Sequence, residues 1–262
     1  MAKKTTKTTD TSNTHSNSQS SSTQDQQIDV SIVIPVYNEE GIISAALADL
    51  TEKLRDVDFN YEIIIAENGS KDQTVAIAKD FSSRHPEVNV FSIGEPNYGK
   101  ALKEGIFRAR GTYVICDEID LCDTGFYQAA LQLLRHENYQ FVVGSKRAMG
   151  AKDKRPLYRR VATQVLNGLL NVAVGFEGTD THGLKAFNKP DIIDLVEECV
   201  VDRDMFASEL TVRVHRAKRR WIEIPIELIE KRPPSISLFK RVPNVLKNIA
   251  RLTMIIRFGR DL

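Results

Sequence analysis

VSIVIPVYNEE, residues 30–40, decides how the rest of the chain is read. A β-branched apolar run reads as a strand buried on both faces, Pro35 stops it, and a helix-like segment follows through Leu54. The same alternation recurs downstream. YEIIIAENGS (61–70) again passes from apolar to polar, and SKDQ at 70–73 has the spacing of a capping box opening a helix. VNVFSI (88–93) precedes a helical segment near 100–110, and YVICDEIDLCD (113–123) supplies the fourth strand. Four strand–helix alternations predict an α/β fold with a mainly parallel sheet flanked by helices.

Ligands of such sheets collect beyond the carboxyl ends of the strands, and three successive ends here are polar: Tyr37-Asn38-Glu39, Glu67-Asn68 and the acids from Asp117 to Asp123. No GxGxxG follows the first strand and no GxxxxGK[ST] occurs, so any phosphates are held in another way. Asp117, Glu118, Asp120 and Asp123 crowd into seven positions, where like charges repel. Oxygen ligands of this kind suit Mg²⁺ or Mn²⁺, the other reading being a solvated acidic loop. After QFVVGSKR (140–147), the segment 146–160 holds Lys146, Arg147, Lys152, Lys154, Arg155, Arg159 and Arg160 against the single acid Asp153. Cation and basic cluster together suggest a phosphorylated substrate, and the alternative is an exposed charged face.

The chain has 262 residues, enough for one sizeable α/β domain. Its 36 basic and 35 acidic side chains leave a net charge of +1, so no global basic field marks a nucleic-acid partner. Cys116, Cys122 and Cys199 form an odd set without a CxxC pair and read as reduced packing residues. No signal-peptide pattern and no membrane-length apolar run is present, so a cytosolic location is expected. Residues 1–27 are polar and low in complexity and are expected to be disordered, leaving a domain over 28–239 and a C-terminal segment over 240–262. In that segment Val242, Val245, Leu246, Ile249, Leu252, Ile255 and Ile256 share one helical face, with Lys240, Arg241, Lys247, Arg251, Arg257 and Arg260 supplying charge. An amphipathic basic helix of this kind either lies on an anionic membrane or packs on the chain's own core.

VSIVIPVYNEE, a strand ending in NGS, NYGKAL, an acid-x-Asp-Leu and GS-basic, taken in this order over about residues 30–252, resemble the family 2 glycosyltransferases of GT-A fold. The resemblance is strongest to the catalytic subunits of dolichyl-phosphate (polyprenyl-phosphate) mannose synthases. It implies a Rossmann-like GT-A fold and transfer of a hexose, mannose favoured, from a nucleotide sugar to a polyprenyl phosphate. GDP-mannose is the favoured donor and a UDP-sugar the other. A hydroxyl acceptor on a glycan or small molecule, or a degenerate protein that binds sugar nucleotide without turnover, are the alternative functions.

The resemblance implies that Pro35, Tyr37, Glu39, Glu67, Asn68 and Lys100 border the donor. Glu118 and Asp120 fill its metal motif for Mg²⁺ or Mn²⁺, with Asp117 just outside that motif on the donor side. Lys146, Arg159, Thr163, Lys185 and Arg232 match acceptor-phosphate positions, and Asp120, Glu118, Lys146 and Arg159 would carry catalysis. Asp180, Thr181, Gly183 and Lys185 resemble the family's D-T-x-G-x-basic segment, and Glu209 matches an acid on the late helix. A location on the cytosolic face of a membrane is implied, with contact through the C-terminal helix and with a membrane-anchoring partner protein. The chain departs from the family in having Glu67-Asn68 for Asp-Asp, Glu118-Ile119-Asp120 for Asp-Ala-Asp, Cys122 for a polar residue and Leu238 for a lysine. A phosphate acceptor, whose second pKa is about 6, is already an ionised nucleophile and needs no base. His182, the one histidine near a motif, accordingly reads as structural.

Overall fold

A computed structural model describes Met1 and residues 27–153, 157–200, 205–228 and 238–258; the side chains of residues 152, 153, 159, 228, 238–245 and 258 lie outside that description. The tail expected to be disordered therefore falls, but for Met1 and Gln27, outside the described residues.

The four expected alternations are present: β1 (Val30–Val36), α1 (Ile43–Lys53), β2 (Tyr61–Glu67), α2 (Thr74–Arg84), β3 (Val88–Ser92), α3 (Tyr98–Arg108), β4 (Tyr113–Cys116) and α4 (Thr124–His136). They continue into β5 (Phe141–Ser145), β6 (Lys152–Asp153), α5 (Leu157–Val174), β7 (Leu184–Asn188), α6 (Lys189–Glu198) and α7 (Phe206–Arg216). β8 (Trp221–Pro225), β9 (Glu227–Leu228) and α8 (Leu238–Phe258) end the described chain. Seven strands form one sheet in the order β3-β2-β1-β4-β7-β5-β8, and β6 pairs separately with β9. Every pairing in the large sheet is parallel except those of β7, which runs antiparallel to both β4 and β5. This is the α/β architecture expected from the sequence.

Local chemistry accounts for the elements and for three departures from the sequence reading. Ile43, Leu47 and Leu50 recur at helical spacing and are fully buried from α1, each contributing about 1.5–3 kcal/mol over an exposed position. β1 does not stop at Pro35 but continues to Val36. Val33 turns its carbonyl toward β4, so by alternation Pro35 faces that side too, where pairing ends at Val33 with Cys116 and no N–H is required. SKDQ does not form a capping box. α2 begins at Thr74, whose N–H bonds the Asp72 carboxylate at 3.0 Å in a short Asx turn. The expected strand WIEIPIELI divides into β8 and β9 around Ile226.

The apolar faces form two cores, one on each side of the sheet. Ile32, Ile34, Leu47, Phe126 and Leu131 lie in the first, and Val33, Ile64, Leu102, Phe187 and Leu210 in the second. A third, smaller cluster joins Leu170 and Val174 of α5 to Phe176, Met205, Val212 and, from α8, Ile249 and Leu252. Ile249 is 7% exposed and Leu252 fully buried, so this part of the C-terminal apolar face packs on the chain's own core. That corrects the expectation of lipid contact for these two side chains: α5 already covers them.

β7 is the element that shapes the functional edge. Running antiparallel, it begins where its neighbours end, and its register sets Leu184 beside Gly144 and Lys185 beside Cys116 and Val143. The turn that feeds it must pass against β5, and a Cβ on Gly183 would lie 1.8 Å from the Gly144 carbonyl oxygen. Gly183→Ala is expected to destabilise by about 3 kcal/mol or more, since the obstacle is backbone. Gly168 in α5 has open space around its Cβ direction, so Gly168→Ala should stabilise by about 0.5–1 kcal/mol. Urea unfolding of the two variants checks both signs.

Candidate active site

The acidic turn after β4 is organised by the carboxylate outside the acid pair. Asp117 is 2% exposed and accepts hydrogen bonds from the N–H of Glu118, the N–H of Asp123 (3.1 Å) and the hydroxyl of Tyr127 on α4. Burial pushes its carboxyl up to about 7, against these three donors, which favour the charged form. Leu121 N–H bonds Glu118 O at 2.9 Å, and the chain turns back through Cys122 at φ +47°. Asp123 then caps α4 by accepting from Phe126 N–H at 3.0 Å. The turn is thereby fixed at both ends, with Glu118 exposed and Asp120 half-buried on it.

A second turn comes up beside the first. Asp180, fully buried, accepts from the N–H of His182 (2.9 Å) and of Lys146 (3.3 Å), and the Lys146 ammonium lies 3.7 Å away. Burial raises its carboxyl, but Lys146, the His182 contacts and Lys185 outweigh this and hold it below the ordinary range. Glu223 on β8 accepts from the N–H groups of Thr179 (2.8 Å) and Asp180 (3.1 Å) and from the Thr179 hydroxyl (2.7 Å), which fastens the turn to the sheet. Lys185 donates to the carbonyls of Thr181 (3.0 Å) and Gly183 (2.8 Å) and is 2% exposed; burial lowers its ammonium to about 8. It braces the turn from beneath. His182 lies with Nδ1 3.1 Å from the hydroxyls of both Thr181 and Ser208, the satisfied structural histidine expected from the sequence.

Charge couples the two turns. The Glu118 carboxyl is held above its ordinary value by the water-poor surroundings of its acid group, although the side chain as a whole keeps access to solvent. Lys146 pulls it down, Asp120 pushes it up, and Lys185 and Asp180 act from the second turn. Tyr98, at the start of α3, also faces this group: burial, Glu118, the Cys116 thiol, Asp117 and Asp120 hold its hydroxyl well above the ordinary range. Glu118, Asp120, Lys146, Asp180 and Lys185 are therefore one electrostatic cluster. Tyr98, Tyr127, Thr179, Ser208 and Glu223 complete it; the sequence reading names none of these as a site residue, although Tyr98 lies inside NYGK and Thr179 beside Asp180.

On the other side of the acidic turn, the loops after β1 and β2 are tied to each other. Asn38 N–H donates to Ser70 Oγ (3.0 Å), Glu39 N–H to Thr74 Oγ1 (2.7 Å) and Glu40 N–H to Asp72 (3.2 Å). In return Lys71 N–H donates to Asn38 Oδ1 (2.8 Å) and Gln73 N–H to Glu40 (2.9 Å). Pro35 is buried in β1, and Tyr37 and Glu39 are half-buried at its end. Glu67 is 1% exposed, with its carboxylate taken by Ser70 N–H and the Ser92 hydroxyl, which hold it below the ordinary range despite burial. Asn68 donates its amide to Val36 O at 3.0 Å. Both side chains bind the loops rather than facing solvent. Lys100 extends from the first turn of α3 to an ion pair with Glu95.

Of the remaining expected residues, Thr163 lies half-buried on α5. Glu209 is fully buried, bonded to Arg213 Nε (2.8 Å) and Val200 N–H (3.1 Å) as a brace between α7 and the chain after α6. The Arg159 side chain and Arg232 lie outside the described residues. A depression of about 720 Å³ lined by Phe59, Tyr61 and His85 sits at the opposite, amino-terminal edge of the sheet, away from this cluster.

The acid pair fits a hard divalent cation. Its donors are all oxygen, and no group of three or more His, Cys, Asp or Glu gathers as a closed metal site among the described residues. Mg²⁺ binds in this open manner, through one or two carboxylates plus substrate phosphates.

The raised pKa of Asp117 gives a pH test on the metal-free protein. The unfolded chain ionises this group in the ordinary carboxylate range and the folded chain only near 7, so stability is full below that range. It should fall as pH climbs from about 4 to about 7 and level off above. Asp117→Asn should flatten that slope in urea unfolding; an unchanged slope would assign it to other groups.

The chain is 28% identical over 218 residues to a dolichyl-phosphate beta-glucosyltransferase of Trichomonas vaginalis, covering 77% of this chain and 66% of that protein. Glycosyltransferase AglD of Haloferax volcanii is 26% identical over 230 residues (86% and 37%). An undecaprenyl-phosphate 4-deoxy-4-formamido-L-arabinose transferase of Aeromonas hydrophila is 28% identical over 204 residues (77% and 60%). The chain thus spans less than two thirds of the length of these relatives. Glucosyl-3-phosphoglycerate synthase of Mycobacterium tuberculosis, solved with uridine diphosphate, has the same fold: TM-score 0.65 at 20% identity, over 88% of this chain and 80% of that one. Residues 31–190, from the first core residues of β1 through β7, match the family described as Glycosyl transferase family 2, and the chain belongs to that family.

Proposed function

We propose that the chain is a metal-dependent glycosyltransferase that moves a hexose from a nucleoside-diphosphate sugar to a polyprenyl phosphate. The observation that carries this reading is the pairing of two turns at one sheet edge: an acid pair, Glu118 and Asp120, coupled to the ammonium of Lys146. One turn suits a cation and its diphosphate, the other an anionic acceptor. A divalent cation bound at Glu118 and Asp120 would neutralise the charge that develops on the leaving diphosphate.

The chain's own residues supply position. Asp180 holds Lys146 through both its backbone N–H and its ammonium, and Lys146 keeps 12% exposure, enough to meet a phosphate oxygen. Lys185 and Glu223 hold Asp180 in turn. A phosphate acceptor is ionised at neutral pH, so the cluster needs no general base, in keeping with a His182 bound to hydroxyls. Arg159, Thr163 and Arg232 complete the acceptor side in this reading, and Pro35, Tyr37, Glu39, Glu67, Asn68 and Lys100 frame the donor side.

The relatives named above include a glucosyltransferase and an arabinose-derivative transferase acting on polyprenyl phosphates, which supports the acceptor class. They favour a glucosyl or related donor over the mannosyl donor expected from the resemblance to mannose synthases. The solved complex with uridine diphosphate supports a UDP-sugar over GDP-mannose. No described helix is long and apolar enough to cross a membrane.

The decisive assay offers UDP- and GDP-sugars with short polyprenyl phosphates and Mn²⁺ or Mg²⁺ and reads released nucleoside diphosphate. Asp120→Asn should lower turnover by at least about 100-fold with the fold intact, and EDTA should do the same reversibly. Full activity in EDTA, or donor binding without diphosphate release across the panel, overturns the reading. Charge-assisted contacts to phosphate are worth about 1.5–3 kcal/mol, so Lys146→Ala should raise the acceptor KM about ten-fold or more while donor affinity stays level. Calorimetry with the donor checks the second half of that expectation.

A further inference from the structure

The hydrogen bonds on Glu223 have a direction, and it leads to Lys146. Glu223 lies on β8 level with Val143 of β5, two residues before Ser145, where that strand ends. Its Oε1 accepts from the N–H groups of Thr179 and Asp180, and its Oε2 accepts the Thr179 hydroxyl at 2.7 Å. A carboxylate only accepts, so the single hydroxyl hydrogen of Thr179 is committed to it. Ser145 Oγ lies 2.7 Å from Thr179 Oγ1, which with its hydrogen committed meets that neighbour as acceptor. Ser145 therefore donates to Thr179 and keeps its lone pairs for two backbone donors, the N–H groups of Arg147 and Ala148, both at 3.1 Å. Ser145 is fully buried, so its polarity is set by these partners and not by bulk water. The relay runs one way, from the loop after β5 through two hydroxyls to Glu223.

Lys146 stands between the two branches of this relay. Ser145 and Arg147, its neighbours in the chain, belong to one branch; Asp180, which holds the Lys146 N–H and ammonium, gives its own N–H to Glu223 in the other. One carboxylate thus fixes both the loop that carries the lysine and the turn that carries its counter-ion. We propose that Glu223 is a positioning residue for Lys146: through Thr179 and Ser145 it sets where the ammonium stands, and with that the affinity of the cleft for the phosphate of its acceptor. This rests on the phosphate-acceptor reading for the ligand, but not for the relay. Polarity is the requirement, beyond shape. In Glu223→Gln the oxygen can still serve the two N–H groups, but the new amide presents hydrogens to Thr179. Thr179 must then turn its own hydrogen toward Ser145, whose oxygen already serves two N–H groups, and the Ser145 hydrogen loses its acceptor.

Thr179 is exposed, so changing its side chain opens no cavity. Thr179→Val removes the hydroxyl and Thr179→Ser keeps it; with Glu223→Gln they form the test on the full chain. Without ligand, hydrogen exchange at the Arg147 and Ala148 amides should quicken about five-fold in Thr179→Val and Glu223→Gln and keep the wild-type rate in Thr179→Ser. With a short polyprenyl phosphate, the acceptor KM should rise about five-fold in the first two variants, while kcat and the donor affinity read by calorimetry stay level, and Thr179→Ser should restore it. In a Lys146→Ala background, Thr179→Val should add nothing to KM, because the relay acts through that ammonium. Unchanged exchange at Arg147 and Ala148, an equal loss in Thr179→Ser and Thr179→Val, or a rise in KM that multiplies with that of Lys146→Ala overturns the proposal. Should Glu223→Gln fail to fold, the two Thr179 variants decide by themselves. If exchange follows the relay while no polyprenyl phosphate is turned over, the positioning of the loop stands and the acceptor reading falls.

Discussion

Two buried charges of opposite sign, Asp180 and Lys185, stand at the carboxyl edge of the sheet, and the arrangement of everything around the cleft follows from the need to satisfy them. Asp180 is fully buried and Lys185 nearly so. Removing such charges from water costs several kcal/mol each unless attraction and hydrogen bonds compensate. The fold supplies two N–H groups and the Lys146 ammonium to the acid, and two carbonyls of its own turn to Lys185. That solution works only with a backbone able to graze β5 at Gly183, and with β7 running backwards between β4 and β5. The one reversed strand in the sheet is thus what brings the Asp180 turn to the same edge as the acidic one.

Much of this was legible in the sequence, for physical reasons that differ between elements. β1, β2 and β4 are long in β-branched residues because both faces of a central parallel strand are buried, and such runs need no context to be read. β7 has no such signal, since LKAFN is short, carries a lysine and owes its strand state to neighbours on both sides. The acidic cluster after β4 could be placed at the ligand-binding edge from strand position, and the family resemblance singled out Glu118 and Asp120 within it. The partners that fix the two turns could not: Tyr127 lies ten residues beyond Asp117 on a helix and Glu223 forty-three beyond Asp180, and only the folded chain joins them.

Periodicity shows a related limit at α5 and α8. A helical repeat of apolar residues says that a face is apolar, not what it meets, and core and interface helices share the pattern. The C-terminal repeat was compatible with lipid or with core, and packing against Leu170 and Val174 decides for core at Ile249 and Leu252. Glu67 and Asn68 make the same point for polar groups. Their place at the carboxyl end of β2 is set by the strand, but whether a carboxylate looks outward or inward depends on Ser70 and Ser92, which bind it internally.

The latch between the loops after β1 and β2 has a bearing on timing. Five crossed hydrogen bonds there link backbone N–H groups on one loop to side-chain oxygens on the other, in both directions. Fixing a residue's backbone costs about 1–2 kcal/mol in conformational entropy. In this protein that cost falls on folding, so a ligand settling against these loops finds them already ordered. The acidic turn, pinned by Asp117, is equally preorganised. A cleft built in this way discriminates among ligands by shape and charge at the moment of encounter, without a slow rearrangement that would let a poor fit be accommodated.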